Sequence, residues 1–316
     1  MKKKVALAVV ALSTLACLAF GWTFTTANLT VTPRELAALP HSIEDVGLRL
    51  SRLHTADISS QHGLSVRGAS LSEPFTSALS AFLVEHPQGR VLIDAGMASN
   101  MEEHFATATP AILRAFSDMD AHAGIAERLA EGGLSSESLF AVIPTHAHWD
   151  HISGMADLRS APLWLTAAEQ EFTRSGHETM DLFVHIESEG ALDVHDLTFD
   201  DSAYGPFERS RDVFGDGRIV VVPMKGHTPG SVGVFVTTTS KRFLFIGDTA
   251  WASEGVDWPA EKPWVSRRIA DHDYEGVRGQ LVLLHLLQDA NPELVIVPAH
   301  DSRVHVQIPE WPASID

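Results

Sequence analysis

Short runs of consecutive apolar residues, each closed by turn chemistry, recur along the chain and predict buried strands. Residues 80–85 and 90–94 flank His86-Pro87-Gln88-Gly89 and read as a hairpin that Ala95-Gly96 ends. Residues 139–144 and 162–165 are two further runs of this kind. The second half repeats the theme: 219–223, then 232–237 and 242–246 as another hairpin, then 294–297. Helical patterns lie between them. Residues 101–116 and 121–131 read as helices, the second with Ile125 and Leu129 four apart and Gly132-Gly133 as its stop. Thr166 with Glu169 forms a capping-box pattern. Residues 273–288 place Val277, Leu281 and Leu284 on one face before Asn291-Pro292. Residues 31–62, mixed and polar with Pro33 and Pro40, read as a connecting segment with short helical pieces. Residues 175–217, acidic and aromatic, read as an insertion over one face rather than sheet. Strands and helices are mixed throughout with no long linker, so residues 28–316 are expected to form one layered α/β domain.

The N-terminus stands apart from that pattern. Lys2, Lys3 and Lys4 precede an apolar run from 5 to 20 interrupted only by Ser13 and Thr14. Residues 1–27 therefore read as a secretory signal peptide or an uncleaved signal anchor, with Thr25-Thr26-Ala27 as small residues for cleavage. Ala16-Cys17 is also similar to the end of a bacterial lipoprotein box, with Thr14 as a departure. The expectation is export, either periplasmic or anchored facing outside the cytoplasm. Composition adds exclusions. With 41 acidic against 23 basic residues and a net charge of −18, nucleic acid and anionic membrane surfaces are poor partners. A small-molecule substrate is expected instead, with membrane contact only through the N-terminal segment. One cysteine, Cys17, excludes an internal disulfide framework and thiolate zinc sites.

The chemistry concentrates at strand ends. Directly after the run at 139–144, His146, His148, Asp150 and His151 occupy six residues. Burying such a cluster as packing would require every ring nitrogen to be desolvated and satisfied. Three other runs also end in a metal-type residue: His227 in Gly226-His227-Thr228-Pro229-Gly230, Asp248 in Gly247-Asp248-Thr249, and His300 in Pro298-Ala299-His300. Imidazole and carboxylate together suit zinc, manganese or iron(II). His146 and His148, two apart in an extended segment, point the same way and can chelate one ion, while Asp150 and His151 can turn toward a second position. Seven donors exceed one tetrahedral zinc but fit two divalent ions if a carboxylate bridges, and Asp248 is the candidate bridge.

The run His146-Ala147-His148-Trp149-Asp150-His151 resembles the His-x-His-x-Asp-His signature of the metallo-β-lactamase superfamily, and the elements around His227, Asp248 and His300 match in kind and order. The resemblance implies an αββα sandwich with two metal ions, zinc foremost, at one edge. It implies that His146, His148 and His227 hold the first ion, that Asp150, His151 and His300 hold the second, and that Asp248 bridges. Asp248 and Asp150 are the carboxylates it ties most directly to catalysis, and Asp94 matches one that orients a ligand histidine. Two ions about 3.5–4 Å apart lower the pKa of a shared water toward about 7, so the expected reaction is hydrolysis by a metal-bridging hydroxide.

The branch is narrowed by departures. Dizinc β-lactamases carry cysteine where Asp248 stands, flavodiiron proteins carry glutamate at His148, and hydroxyacylglutathione hydrolases carry a basic C-terminal set absent here. The run Ala81-Phe82-Leu83-Val84-Glu85-His86-Pro87 before Leu92-Ile93-Asp94-Ala95-Gly96, and the ending Pro298-Ala299-His300-Asp301, resemble the N-acyl-homoserine lactonase-like branch, which places a tyrosine three residues after the bridging aspartate; here that residue is Trp251. The expected activity is cleavage of a small ester or lactone. Phosphotriester or thioester hydrolysis is the alternative within the family, and a non-catalytic metal-binding accessory protein the alternative outside enzymes. Trp149 and Trp251 are candidates for the substrate pocket, as are Met155, Phe172 and Trp258, although each taken alone also reads as a core residue. Tyr204 and Tyr274 are the only phenols that could replace the missing donor.

Overall fold

A computed structural model describes residues 13–14, 17–18, 20–40, 47–109, 114 and 117–316. Seven strands form one sheet: β1 (Arg49–Gln61), β2 (Pro74–His86), β3 (Gly89–Ile93), β4 (Asp118–Ala121), β5 (Ala141–Ile143), β6 (Leu163–Leu165) and β7 (Val194–Asp196), in the order β4-β1-β2-β3-β5-β6-β7. Five form a second: β8 (Arg211–Asp212), β9 (Ile219–Pro223), β10 (Val232–Thr237), β11 (Arg242–Phe245) and β12 (Leu294–Val297), in the order β12-β11-β10-β9-β8.

The apolar runs are continuous because the strands are covered on both faces. Phe82, Val84, Val91 and Ile93 point between the sheets and meet Val221, Val234, Phe243 and Phe245. Their neighbours Ala81, Leu83 and Leu92 point the other way, toward Ile125, Leu129, Phe183 and Ile186 of the outer helices. On the far side Val220, Val222, Phe235 and Leu244 pack against Val277, Leu281 and Leu284 of the helix Tyr274–Ala290. Four layers result, helix–sheet–sheet–helix, which is the αββα arrangement.

Strand direction then gathers the strand ends. β3 and β5 are parallel, β11 and β12 are parallel, and β9 and β11 are both antiparallel to β10. The C-terminal ends of β3, β5, β9, β11 and β12 therefore share directions within their sheets. These are the ends that lead to Asp94, His146, His227, Asp248 and His300.

Several expectations need correction. The connecting segment at 31–62 contains β1, a 13-residue strand paired with both β2 and β4. A register shift between His54 and Ala56 hides its alternation. The helix expected at 121–131 begins at Ile125, because residues 118–121 form the edge strand β4. The first helix is Met101–Ala108; of its expected continuation, 110–113, 115 and 116 lie outside the described residues. The segment 175–217 is partly sheet: it supplies the helix Asp181–Glu189 and the edge strands β7 and β8, one for each sheet. Most of the apolar run at 5–20 lies outside the described residues, and among those described no helix is long and apolar enough to cross a membrane.

Candidate metal centre

The seven donors named from the sequence converge at that shared edge in two sets. In the first, His227 Nε2 lies 3.1 Å from His146 Nε2, 2.8 Å from His148 Nδ1 and 3.3 Å from Asp248 Oδ2. In the second, Asp248 Oδ1 lies 3.3 Å from His151 Nε2 and 3.0 Å from His300 Nε2, and His300 Nε2 lies 3.3 Å from Asp150 Oδ2. Asp248 thus directs one oxygen to each set. Two tight backbone approaches make this possible. Gly247 has φ +51° and a Cβ there would meet Thr145 Oγ1 at 2.6 Å; at Gly226 a Cβ would meet Val277 N at 2.5 Å. Side chains at either position would push the Asp248 or His227 loop away from its neighbours.

Buried partners aim the rings. His227 Nδ1 donates to Asp271 Oδ1 at 2.8 Å, which leaves the Nε2 lone pair facing His146 and His148. Lys262 Nζ donates to the same Asp271 oxygen at 2.8 Å and to the Asp248 carbonyl at 2.6 Å. Asp94 Oδ2 stands 3.1 Å from His151 Nδ1, while its Oδ1 accepts from Thr145 N at 2.7 Å. Asp94 holds this pose at φ +55°, the one positive-φ non-glycine among the described residues, a strained conformation of the kind that collects at functional sites. Trp251 Nε1 donates to Asp248 Oδ2 at 2.7 Å.

Glu169 performs a task its sequence position did not announce. Its backbone N–H is capped by Thr166 Oγ1 at 3.2 Å, but its carboxylate does not return to the cap. It accepts instead from Ala147 N at 2.7 Å, Thr228 Oγ1 at 2.7 Å and Gly230 N at 3.0 Å. It joins the His146–His148 loop to the His227 loop from a position almost fully buried. Burial pushes its carboxyl pKa up, opposed by those three hydrogen bonds. Glu169, Asp271 and Lys262 were all missed as site residues. Only Glu169 carried a signal, the capping pattern, and it pointed to another role.

The donor set fits divalent metal ions. His151 Nε2 and Asp248 Oδ1 are buried 3.3 Å apart without a well-aligned hydrogen bond, an arrangement that a cation between them would satisfy. Burial first, then the neighbouring imidazoles, hold His146 and His148 well below the usual histidine range, so both stay neutral as ligands require. Burial would lower His300 too, but Asp248 and Asp150 outweigh it and push it up to about 9. For His151, burial is outweighed by Asp94, Asp150 and Asp248, and its pKa is raised well above normal. Burial alone would raise Asp248; His300 and His227 overcome it and hold the carboxyl well below its usual range.

A pH dependence follows. Without metal, His300 keeps its proton up to about pH 9, and an ion must displace that proton and the one on His151. Each displaced proton weakens apparent affinity about tenfold per pH unit as pH falls below its pKa. Metal content measured after dialysis is expected to drop between about pH 9 and about pH 6, with protons released on reloading. Metal content that does not vary across this range, or reloading without proton release, would contradict the arrangement.

The cleft above these donors has a volume of about 290 Å³, with His148, Asp150, Asp248 and His300 among its lining residues. Its walls include Ile58, Leu79, Phe105, Trp149, Trp251 and Ile269. Trp149 and Trp251 line the cleft, while Met155 and Phe172 belong to the core beside the first sheet and Trp258 lies exposed outside the lining. Neither tyrosine supplies a donor there. Tyr204 packs on Phe235 in the outer core, and Arg267 covers the ring of Tyr274.

The sequence profile of the metallo-beta-lactamase superfamily matches residues 77–300, well over half of the chain. The chain belongs to the metallo-beta-lactamase superfamily. A probable metallo-hydrolase of Mycobacterium tuberculosis is 28% identical over 241 residues, covering 69% of this chain and 73% of that protein. Among solved structures, an N-acyl homoserine lactone hydrolase with N-hexanoyl-L-homoserine at its catalytic metal centre superposes with a TM-score of 0.67 at 17% identity, covering 84% of this chain and 98% of that one. A hydrolase named AbOPH superposes with a TM-score of 0.54 at 14% identity, covering 86% and 93%. These structural likenesses establish the shared fold. Membership supports a metallo-hydrolase; the superfamily is typically dependent on two metals, and a His/Asp cluster that could hold metal is present.

Proposed function

We propose that this superfamily member is an exported dinuclear zinc hydrolase that opens a small ester or lactone carrying an apolar acyl portion. One observation carries the reading: the Asp248 carboxylate is divided between two donor sets at a cleft whose walls are largely apolar. In it His146, His148 and His227 hold one ion, Asp150, His151 and His300 the other, and Asp248 bridges. When bound, such ions activate water and polarise a carbonyl oxygen. The chain's own residues do the rest. Asp271 and Asp94 fix the His227 and His151 rings, and the apolar wall excludes water and receives the acyl portion. The lactone hydrolase that shares the fold supports this substrate class. Hydrolysis of lactones, thioesters, β-lactams and phosphotriesters, screened with metal content on the same sample, tests the reading. A metal-replete chain inert toward all four would overturn it in favour of a metal-binding role without turnover.

A second reading, phosphotriester hydrolysis at the same site, draws on Trp251. Trp251 offers no phenolic hydroxyl to the substrate at that position, and its indole N–H is already committed to Asp248. Trp251→Phe removes that hydrogen bond and keeps an aromatic wall. The expected result is a fall in kcat/KM of about 10–100-fold with the better of the two substrate classes, as for other groups that orient metal ligands. An unchanged kcat/KM would show that the indole serves only as wall.

A further inference from the structure

Away from the cleft, a second set of donors gathers where β1 meets the end of β4. We propose that His54, Asp57 and His122 form a separate site for one borderline divalent ion of the zinc class. His54 Nε2 lies 3.1 Å and His122 Nε2 3.2 Å from the same atom, Asp57 Oδ2. Their donor atoms all lie within 4.8 Å of one another. Zinc bonds of 2.0–2.1 Å in a tetrahedron put neighbouring donors about 3.3 Å apart, so the two nitrogen–oxygen separations need little adjustment. Two imidazoles and a carboxylate are also a donor set that suits this class of metal.

The backbone explains why the three meet. On a regular strand, residues three apart face opposite sides. The register shift in β1 removes that opposition: His54 pairs with Ser80 and Asp57 with Ala78, which are two apart on β2 and so share a face. β4 pairs Asp120 with Asp57 and Ala121 with Ala56, and the next residue, His122, donates its N–H to Thr55 O at 3.0 Å across the shift. The two rings then lie 4.9 Å apart. His54 Nδ1 is 3.1 Å from Ser80 Oγ, the kind of second partner that fixes a ligating imidazole. The side chains of His54, Asp57 and His122 are 16%, 25% and 30% exposed, so an ion can enter from solvent.

The site shares no residue with the seven donors of the cleft and does not depend on the function proposed for them. Its consequence reaches the cleft wall all the same. Ile58, beside Asp57 on β1, and Ser117, just before β4, both line the cleft, so an ion here would tie together the two strands next to this part of the wall.

Zinc is the probe. The intact chain and its His54→Ala and His122→Ala variants are dialysed against excess zinc, and bound zinc is measured on each. Each variant is expected to retain one ion fewer per chain than wild type. In the unsubstituted chain the ring nitrogen resonances of His54 and His122 are expected to shift together on zinc addition, which holds the proposal to account even if a variant folds poorly. Equal zinc content in wild type and folded variants, or ring resonances that do not move, would overturn it. In that case the carboxylate simply accepts hydrogen bonds from two imidazoles.

Discussion

Asp248→Ala is expected to lower hydrolysis by about a hundredfold or more and to reduce bound metal. About 10–100-fold is the usual cost of losing a group that merely orients a ligand, and Asp248 faces both donor sets directly. The substitution removes the acceptor of Trp251 and the counter-charge of His151 and His300 at once. Asp248→Asn separates the contributions, since it keeps an oxygen and the shape but not the charge. Steady-state rates and metal content on the same preparations decide the matter. Full activity in the alanine variant would sink the bridged reading.

Glu169→Ala comes second in expected effect, and it acts without touching any donor. Two buried donors, Ala147 N–H and Gly230 N–H, lose their acceptor together, and Thr228 O–H is left with Ser231 Oγ alone. At about 1–3 kcal/mol for each buried group left unsatisfied, the fold should lose about 2 kcal/mol or more. The loss is read from the urea midpoint with an unchanged slope. Because Glu169 ties the His146–His148 loop to the His227 loop, affinity at the first donor set should fall as well, by about 10–100-fold. Glu169→Gln, which retains one acceptor oxygen and the volume, should lose less on both counts. Wild-type stability in the alanine variant would show that water replaces the carboxylate.

The convergence of the seven candidate donors was legible because they sit in tight motifs at the ends of apolar runs, where spacing and residue type point the same way. Most of the strands were legible for a related reason: they are covered on both faces, so Val220, Val221 and Val222 are all apolar. β1 escaped notice because neither condition holds. Its register shift changes which parity faces inward, and along Leu50 and Arg52 its outer edge is paired with the C-terminal tail rather than with a strand. Leu50 N donates to Ile315 O and Arg52 N to Pro309 O, while the Arg52 side chain pairs with Glu310. Such a strand keeps charged residues that read as loop. Asp271 and Lys262 were illegible for want of any local pattern, since they reach His227 and Asp248 only through the folded chain. Trp251 was found by its spacing from Asp248, but its hydrogen bond to that carboxylate could not be read from sequence.

The division of donors between the sheets has a mechanical corollary. His146, His148, Asp150 and His151 follow β5 of one sheet, whereas His227, Asp248 and His300 follow β9, β11 and β12 of the other. Each donor set therefore takes members from both sheets, and the spacing within it is set by how the sheets rest on each other. Phe82 and Phe245, whose rings stand 4.6 Å apart across that interface, belong to the bearing surface. A slip there of a few tenths of an ångström would register as altered metal binding long before the fold gave way, making the centre a strain gauge for the sandwich.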